Sequence, residues 1–246
     1  MLNFYQNTAC TKQKEYNSIN FTGMDNTIFQ HTEAYINSLL APEDEALAGV
    51  EQSLIDGNSA MWFGSISPSQ GKFLQVLAGA CNAKRILELG TLGGYSTIWL
   101  ARALPHDGKL ITIEYDPSHA AISKDNITKA GVANKVEIRI GKAIDILTQM
   151  QQAGEAPFDM VFMDADKPPY TEYFQLALKL SRAGTIIVAD NVVRGGKVLD
   201  TNSEDAAVKG VRRFNEMLSK NTSVTATILQ MVGAKDHDGM AIAVVN

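Results

Sequence analysis

The chain has 246 residues, 45% hydrophobic and 20% charged, with 22 basic against 27 acidic side chains and a formal charge of −5. At about 150 residues per domain this allows one large or two small domains, able to bury a full core without disulfides or structural zinc. Cys10 and Cys81 make neither a disulfide framework nor a metal-ligand spacing, no basic run offers itself to nucleic acid, and neither a signal peptide nor a membrane span of about 20 apolar residues is visible, so a cytoplasmic protein is expected.

Residues 1–24 are polar and without period and read as an arm. Apolar spacing predicts a helix over 25–40, capped by Asp25 or Asn26 and stopped at Pro42. A second helix runs from about Glu43 to Ile55 and ends at the Asp56-Gly57-Asn58 turn. Ser67-Pro68 opens a third, which ends near Cys81.

The rhythm then changes. Short apolar runs at 85–89, 109–113, 136–140, 160–163 and 185–189 alternate with helical stretches at 95–103, 118–130, 143–152 and 170–180. Strands alternating with 10–15-residue helices predict a parallel sheet covered on both faces. A last helix over 205–219 precedes two strands, 224–232 and 240–245, joined by a turn over Lys235–Gly239. The expected fold is a single doubly wound, Rossmann-like α/β domain over 25–246, with a C-terminal antiparallel pair and an N-terminal helical extension (25–58) serving as lid or dimer element.

Ligands of open α/β sheets bind beyond the carboxyl ends of the strands. The first such end reads Glu88-Leu89-Gly90-Thr91-Leu92-Gly93-Gly94-Tyr95-Ser96, and the next strand ends at Glu114, 24 residues after Gly90. An acidic residue at about this offset grips ribose hydroxyls in both NAD and S-adenosylmethionine sites. The turn is not G-x-G-x-x-G, and carboxylates suit an ammonium and a sulfonium better than a pyrophosphate.

Two further strand ends are acidic: Asp164-Ala165-Asp166-Lys167 and Asp190-Asn191. Oxygen donors of this kind suit Mg²⁺, Mn²⁺ or Ca²⁺. Lys167, beside such an ion, has its ammonium form disfavoured and is a candidate base.

ILELGTLGGYSTIWLA, FDMVFMDADK and VADNVVRGG, with SQGKFL and DGMAIAV, resemble the cation-dependent class I O-methyltransferases, the group of caffeoyl-CoA and catechol O-methyltransferases. The resemblance implies a cation, Mg²⁺ first, held by Asp164, Asp190 and Asn191. It implies S-adenosylmethionine lined by Glu88, Gly90, Thr91, Ser96, Glu114 and Ala143, with Ile66, Ser67 and Asp166 also touching it. Asp164 and Lys167 would be the catalytic pair, and the assembly a homodimer. Arg194-Gly195 stands where plant members have Trp-Asn, Ile66 where threonine is common, and Pro168-Pro169 where Asp-Asn follows the DADK run. These departures leave the acceptor open among free catechols, caffeoyl derivatives and flavonoids. The implied reaction moves a methyl group from the sulfonium to a phenolic oxygen of a vicinal diol, with 25–55 and 194–203 as lids. An NAD-type oxidoreductase and a non-catalytic ligand-binding protein are the alternatives.

Overall fold

The computed structural model describes residues 26–246. Cys10, the arm expected over 1–24 and the cap expected at Asp25 lie outside them, and Asn26 is the first residue of the first helix. That helix, α1, spans Asn26–Leu40. The helix α2 (Glu45–Asp56) starts two residues later than expected, because Asp44 caps it by accepting from the Leu47 amide at 3.1 Å. The helix α3 (Pro68–Ala80) has a full capping box: Ser67 accepts from the Gln70 amide and Gln70 from the Ser67 amide.

The α/β alternation follows as β1 (Arg85–Leu89), α4 (Tyr95–Ala103), β2 (Lys109–Glu114), α5 (Pro117–Lys129), β3 (Val136–Ile140), α6 (Ala143–Gln152), β4 (Phe158–Met163), α7 (Tyr170–Lys179), β5 (Ser181–Ala189), α8 (Ala206–Lys220), β6 (Val224–Gly233) and β7 (Asp236–Val245). They form a seven-stranded sheet in the order β3-β2-β1-β4-β5-β7-β6, with β7 antiparallel to both neighbours. The order reverses between β1 and β4, which makes their carboxyl ends the switch point.

Alternate residues of each strand feed two cores, as the two-residue period of a strand requires. Leu87, Val161 and Ile187 pack with α6, α7 and α8, whereas Ile86, Met160 and Val188 pack with α2, α3 and α4. Leu47, Val50 and Leu54 of α2 are buried in the second core. Among the described residues no helix is long and apolar enough to cross a membrane.

Three other boundaries differ most from the sequence reading. The strand β4 begins at Phe158 rather than Met160, and β5 at Ser181 rather than Thr185. The β4–β5 register shifts between Phe158 and Met160, and Thr185 Oγ1 closes the irregularity by donating to Phe158 O at 2.7 Å and accepting from the Arg182 amide at 3.0 Å. The turn expected over Lys235–Gly239 is only Ala234-Lys235: Asp236–Gly239 belong to β7 and pair with Gly233–Gln230.

Candidate active site

The switch point opens into a cleft of about 1340 Å³. Its floor is the set of strand ends, held close by continuing ladder bonds: Gly90 N to Ile113 O, Asp164 N to Leu89 O and Asp190 N to Met163 O, at 2.8–3.0 Å. Gly90 has φ +95°, and a Cβ there would collide with the carbonyl of Asp164, so β1 and β4 can end this close together only with glycine at the turn.

Glu114 organises the first half of the cleft. Its Oε2 accepts from the amides of Thr91 (3.1 Å) and Leu92 (2.8 Å), and its Oε1 from the Asp116 amide at 2.9 Å. One carboxylate thus fixes the glycine turn while facing the cleft beside Tyr115 and Ala143. Thr91, Ser96, Ile66 and Asp166 line the same cleft, and Tyr173 donates to Asp166 Oδ1 at 2.5 Å.

Two of the expected contact residues are not brought to its wall. Glu88 is fully buried and receives Ser96 Oγ (2.6 Å) and Thr97 Oγ1 (2.5 Å), so it ties β1 to the first turn of α4. Burial pushes its carboxyl up to about 7, and the Asp164 charge adds to the rise against the pull of those hydroxyls. Ser67 is buried at the cap of α3, where its hydroxyl meets the Gln70 amide and the Ser69 hydroxyl.

The second half of the cleft gathers the acidic strand ends. Lys167, nearly buried, donates from Nζ to Asp164 Oδ1 at 2.8 Å and to the Tyr170 hydroxyl at 2.7 Å. Asn191 lines the cleft in the left-handed conformation, φ +57°. Asp190 is 2% exposed and faces an adjoining pocket that Asn191 also lines. Its Oδ1 is buried without any hydrogen-bond partner, and its pKa is raised by burial and by the charge of Asp164.

A buried carboxylate oxygen with no donor is costly unless a cation or proton meets it. With the neighbouring Asp164 and Asn191 it presents hard oxygen donors of the type that bind divalent cations. Among the described residues no group of three or more His, Cys, Asp or Glu side chains is placed to hold a metal, and the set here has two carboxylates and one carboxamide. The residues fit such an ion.

Several residues of the site had no signal in the sequence. Met61, Trp62 and Phe63 stand exposed on the loop between α2 and α3 and wall the cleft, and Lys235 Nζ on the β6–β7 hairpin donates to Phe63 O at 3.1 Å. Exposed neighbouring aromatics in a loop are a usable sign of a binding wall, but only after burial is known.

Comparison with known proteins identifies the family. A family model described as O-methyltransferase matches residues 43–244. A catechol O-methyltransferase of Niastella koreensis is 63% identical, covering 90% of this chain and 100% of its own length. One of Mycobacterium tuberculosis is 45% identical, covering 87% and 94%. The O-methyltransferase TomG of Streptomyces achromogenes, solved with S-adenosylmethionine, superposes with a TM-score of 0.86 at 49% identity, covering 91% of this chain and 99% of that one. An O-methyltransferase of Bacillus cereus, solved with S-adenosylhomocysteine, gives 0.86 at 45% identity, covering 90% and 100%. The oxidoreductase and non-catalytic alternatives gain no support, and the chain belongs to the O-methyltransferase family.

Proposed function

We propose that this protein transfers a methyl group from S-adenosylmethionine to one hydroxyl of a vicinal diphenol, with a divalent cation bound by Asp164, Asp190 and Asn191. The observation that carries this reading is the unpartnered, buried Asp190 Oδ1 beside Asp164 and Lys167 at the switch point. When bound, the cation supplies Lewis acidity to the two phenolic oxygens, and S-adenosylmethionine supplies an activated methyl group.

The chain's own residues do the rest. Glu114 and the Thr91–Leu92 amides set the ribose end, so that the donor lies along β2 and β1. The acceptor lies over β4 and β5, and alignment of the two is the main work, since orientation can recover about 7–11 kcal/mol of barrier. Lys167 Nζ takes the proton of the attacking hydroxyl. Trp62 and Phe63 cover the ring and exclude water. The NAD-type reading has no comparable support, because Glu114, Asp164 and Asp166 line the cleft, where a pyrophosphate would be repelled.

A homodimer in the cytoplasm belongs to this proposal: Tyr35, Leu39 and Leu40 leave an apolar face of α1 exposed, and faces of that kind mark interfaces. Sedimentation at micromolar concentration tests it, with a monomer refuting it. For the reaction, purified protein is incubated with catechol and S-adenosylmethionine, with Mg²⁺ or excess EDTA, and products are weighed by mass spectrometry. Mono-methylated product with Mg²⁺ and none with EDTA is expected; equal turnover in both rejects the cation.

A further inference from the structure

We propose that Arg194 is a specificity residue whose guanidinium binds a carboxylate on the acceptor, so that acidic vicinal diphenols are the preferred substrates. This rests on the acceptor reading above.

The backbone of Arg194 is in the left-handed region, φ +56°, and Gly195 and Gly196 follow at +62° and +80°. Glycine occupies this region freely, whereas a side chain strains it. The sequence supplies glycine at the second and third positions and arginine at the first. Asp238 Oδ1 enforces the conformation by accepting from the amides of Val193 (2.9 Å), Arg194 (2.8 Å) and Gly239 (2.9 Å). The strained residue lines the cleft with Trp62, Asn191 and Lys235.

Its guanidinium is unpaired. Among the described residues the Arg194 side chain makes no salt bridge or hydrogen bond, and its Nε is buried without a partner. Every other arginine of the chain has one: Arg85, Arg102, Arg139, Arg182 and Arg213 meet carboxylates, and Arg212 meets a main-chain oxygen. Of the acids near Arg194, Asp236 lines the same cleft without an ion pair among the described residues, and the others already have partners or a proposed role. Asp238 holds three amides, Asp164 holds Lys167, Asp190 belongs to the cation site, and Asp205 caps α8 through the amides of Ala207 and Val208. A half-buried guanidinium with no anion is a site for one, and its planar donors suit a carboxylate.

The sheet order says which ligand brings it. Glu114 ends β2, Gly90 follows β1, Asp164 follows β4, and Arg194 lies beyond β5. The donor's ribose belongs at the β2 end, so Arg194 stands at the opposite end, on the acceptor's side of the cation ligands.

The test compares kcat/KM for 3,4-dihydroxybenzoate and for its methyl ester, which keeps the diol and removes the charge. The wild type should prefer the acid. In Arg194→Gly, which relieves the backbone and keeps the fold, the acid-to-ester ratio should fall at least tenfold, chiefly through KM for the acid. Arg194→Lys should fall between. A smaller change in folded Arg194→Gly overturns the proposal. So does a tenfold loss of S-adenosylmethionine affinity in calorimetry with the ratio fixed, which would give the guanidinium to the cofactor. Failure of the wild type to methylate either compound would instead reject the acceptor reading itself.

Discussion

The Tyr170 hydroxyl accepts a hydrogen bond from Lys167 Nζ at 2.7 Å, and it is the only partner of that nitrogen besides Asp164 among the described residues' hydrogen bonds. The ring is fully buried against Phe214, and the hydroxyl proton points to the main-chain oxygens of Met163 (3.0 Å) and Asp190 (2.9 Å). Tyr170 therefore joins the lysine to both acidic strand ends. Tyr170→Phe keeps the packing and removes this joint. It should lower kcat about tenfold, the worth of one hydrogen bond, and leave S-adenosylmethionine affinity within about twofold. Single-turnover rates with calorimetry check this; an unchanged kcat would mean that Asp164 alone holds Lys167.

Glu114→Ala should weaken S-adenosylmethionine by at least about tenfold, because the substitution removes both the proposed ribose acceptor and the brace of the Thr91–Leu92 amides. Glu114→Gln keeps an acceptor oxygen and should lose less. Equal affinity of the Ala variant in calorimetry would reject the role.

Glu88 gives stability a pH dependence of known sign. Its folded pKa of about 7 stands above the unfolded 4.5, so the folded state binds the proton more tightly. Its contribution to stability therefore falls as pH rises from 4.5 to 7 and levels off above. Glu88→Gln removes the titration, and the variant should gain about 2–3 kcal/mol on the wild type between pH 4.5 and pH 8. Urea unfolding in EDTA at both pH values measures it, and a constant difference would show that Glu88 titrates alike in both states.

Glu33 latches α1 to the far end of the chain. Its carboxylate accepts from Ser69 Oγ at 2.7 Å and from the Ala234 amide at 2.5 Å, and a Cβ on Gly233 would collide with it. Burial acts to raise its pKa, but the Ser67 and Ser69 hydroxyls, the Ala234 amide and the Lys235 charge win and hold it low. Glu33→Ala should cost about 1.5–3 kcal/mol and speed amide exchange at Ala234 and along α1, with the sheet core unchanged. Uniform exchange across the chain would mean that no local latch exists.

What the sequence made legible was local or periodic. The strand ends at Gly90, Glu114, Asp164 and Asp190 follow from apolar runs, and the sheet topology alone brings them to one edge. The contacts made across long separations were not legible. Tyr170 reads as the start of one helix, and Glu33 falls inside another with no signal of its own. The DHDG run resembles a turn, yet the chain has already turned at Ala234-Lys235, where Glu33 takes up the Ala234 amide. Asp238 thus reads as a turn residue, although it shapes the backbone of Arg194.

The antiparallel end of the sheet also dictates an order of assembly. Strand β6 touches the sheet only through β7, which the ribosome delivers afterwards and which must slip between β5 and β6. Until then β5 presents an open edge and β6 has nothing to pair with, and unpaired edges invite aggregation. The Ala234 amide that secures Glu33 sits in the same late hairpin, so α1, although made among the first, docks among the last. A nascent chain stalled before residue 236 should hold both cores' central strands yet leave β6 and α1 loose together.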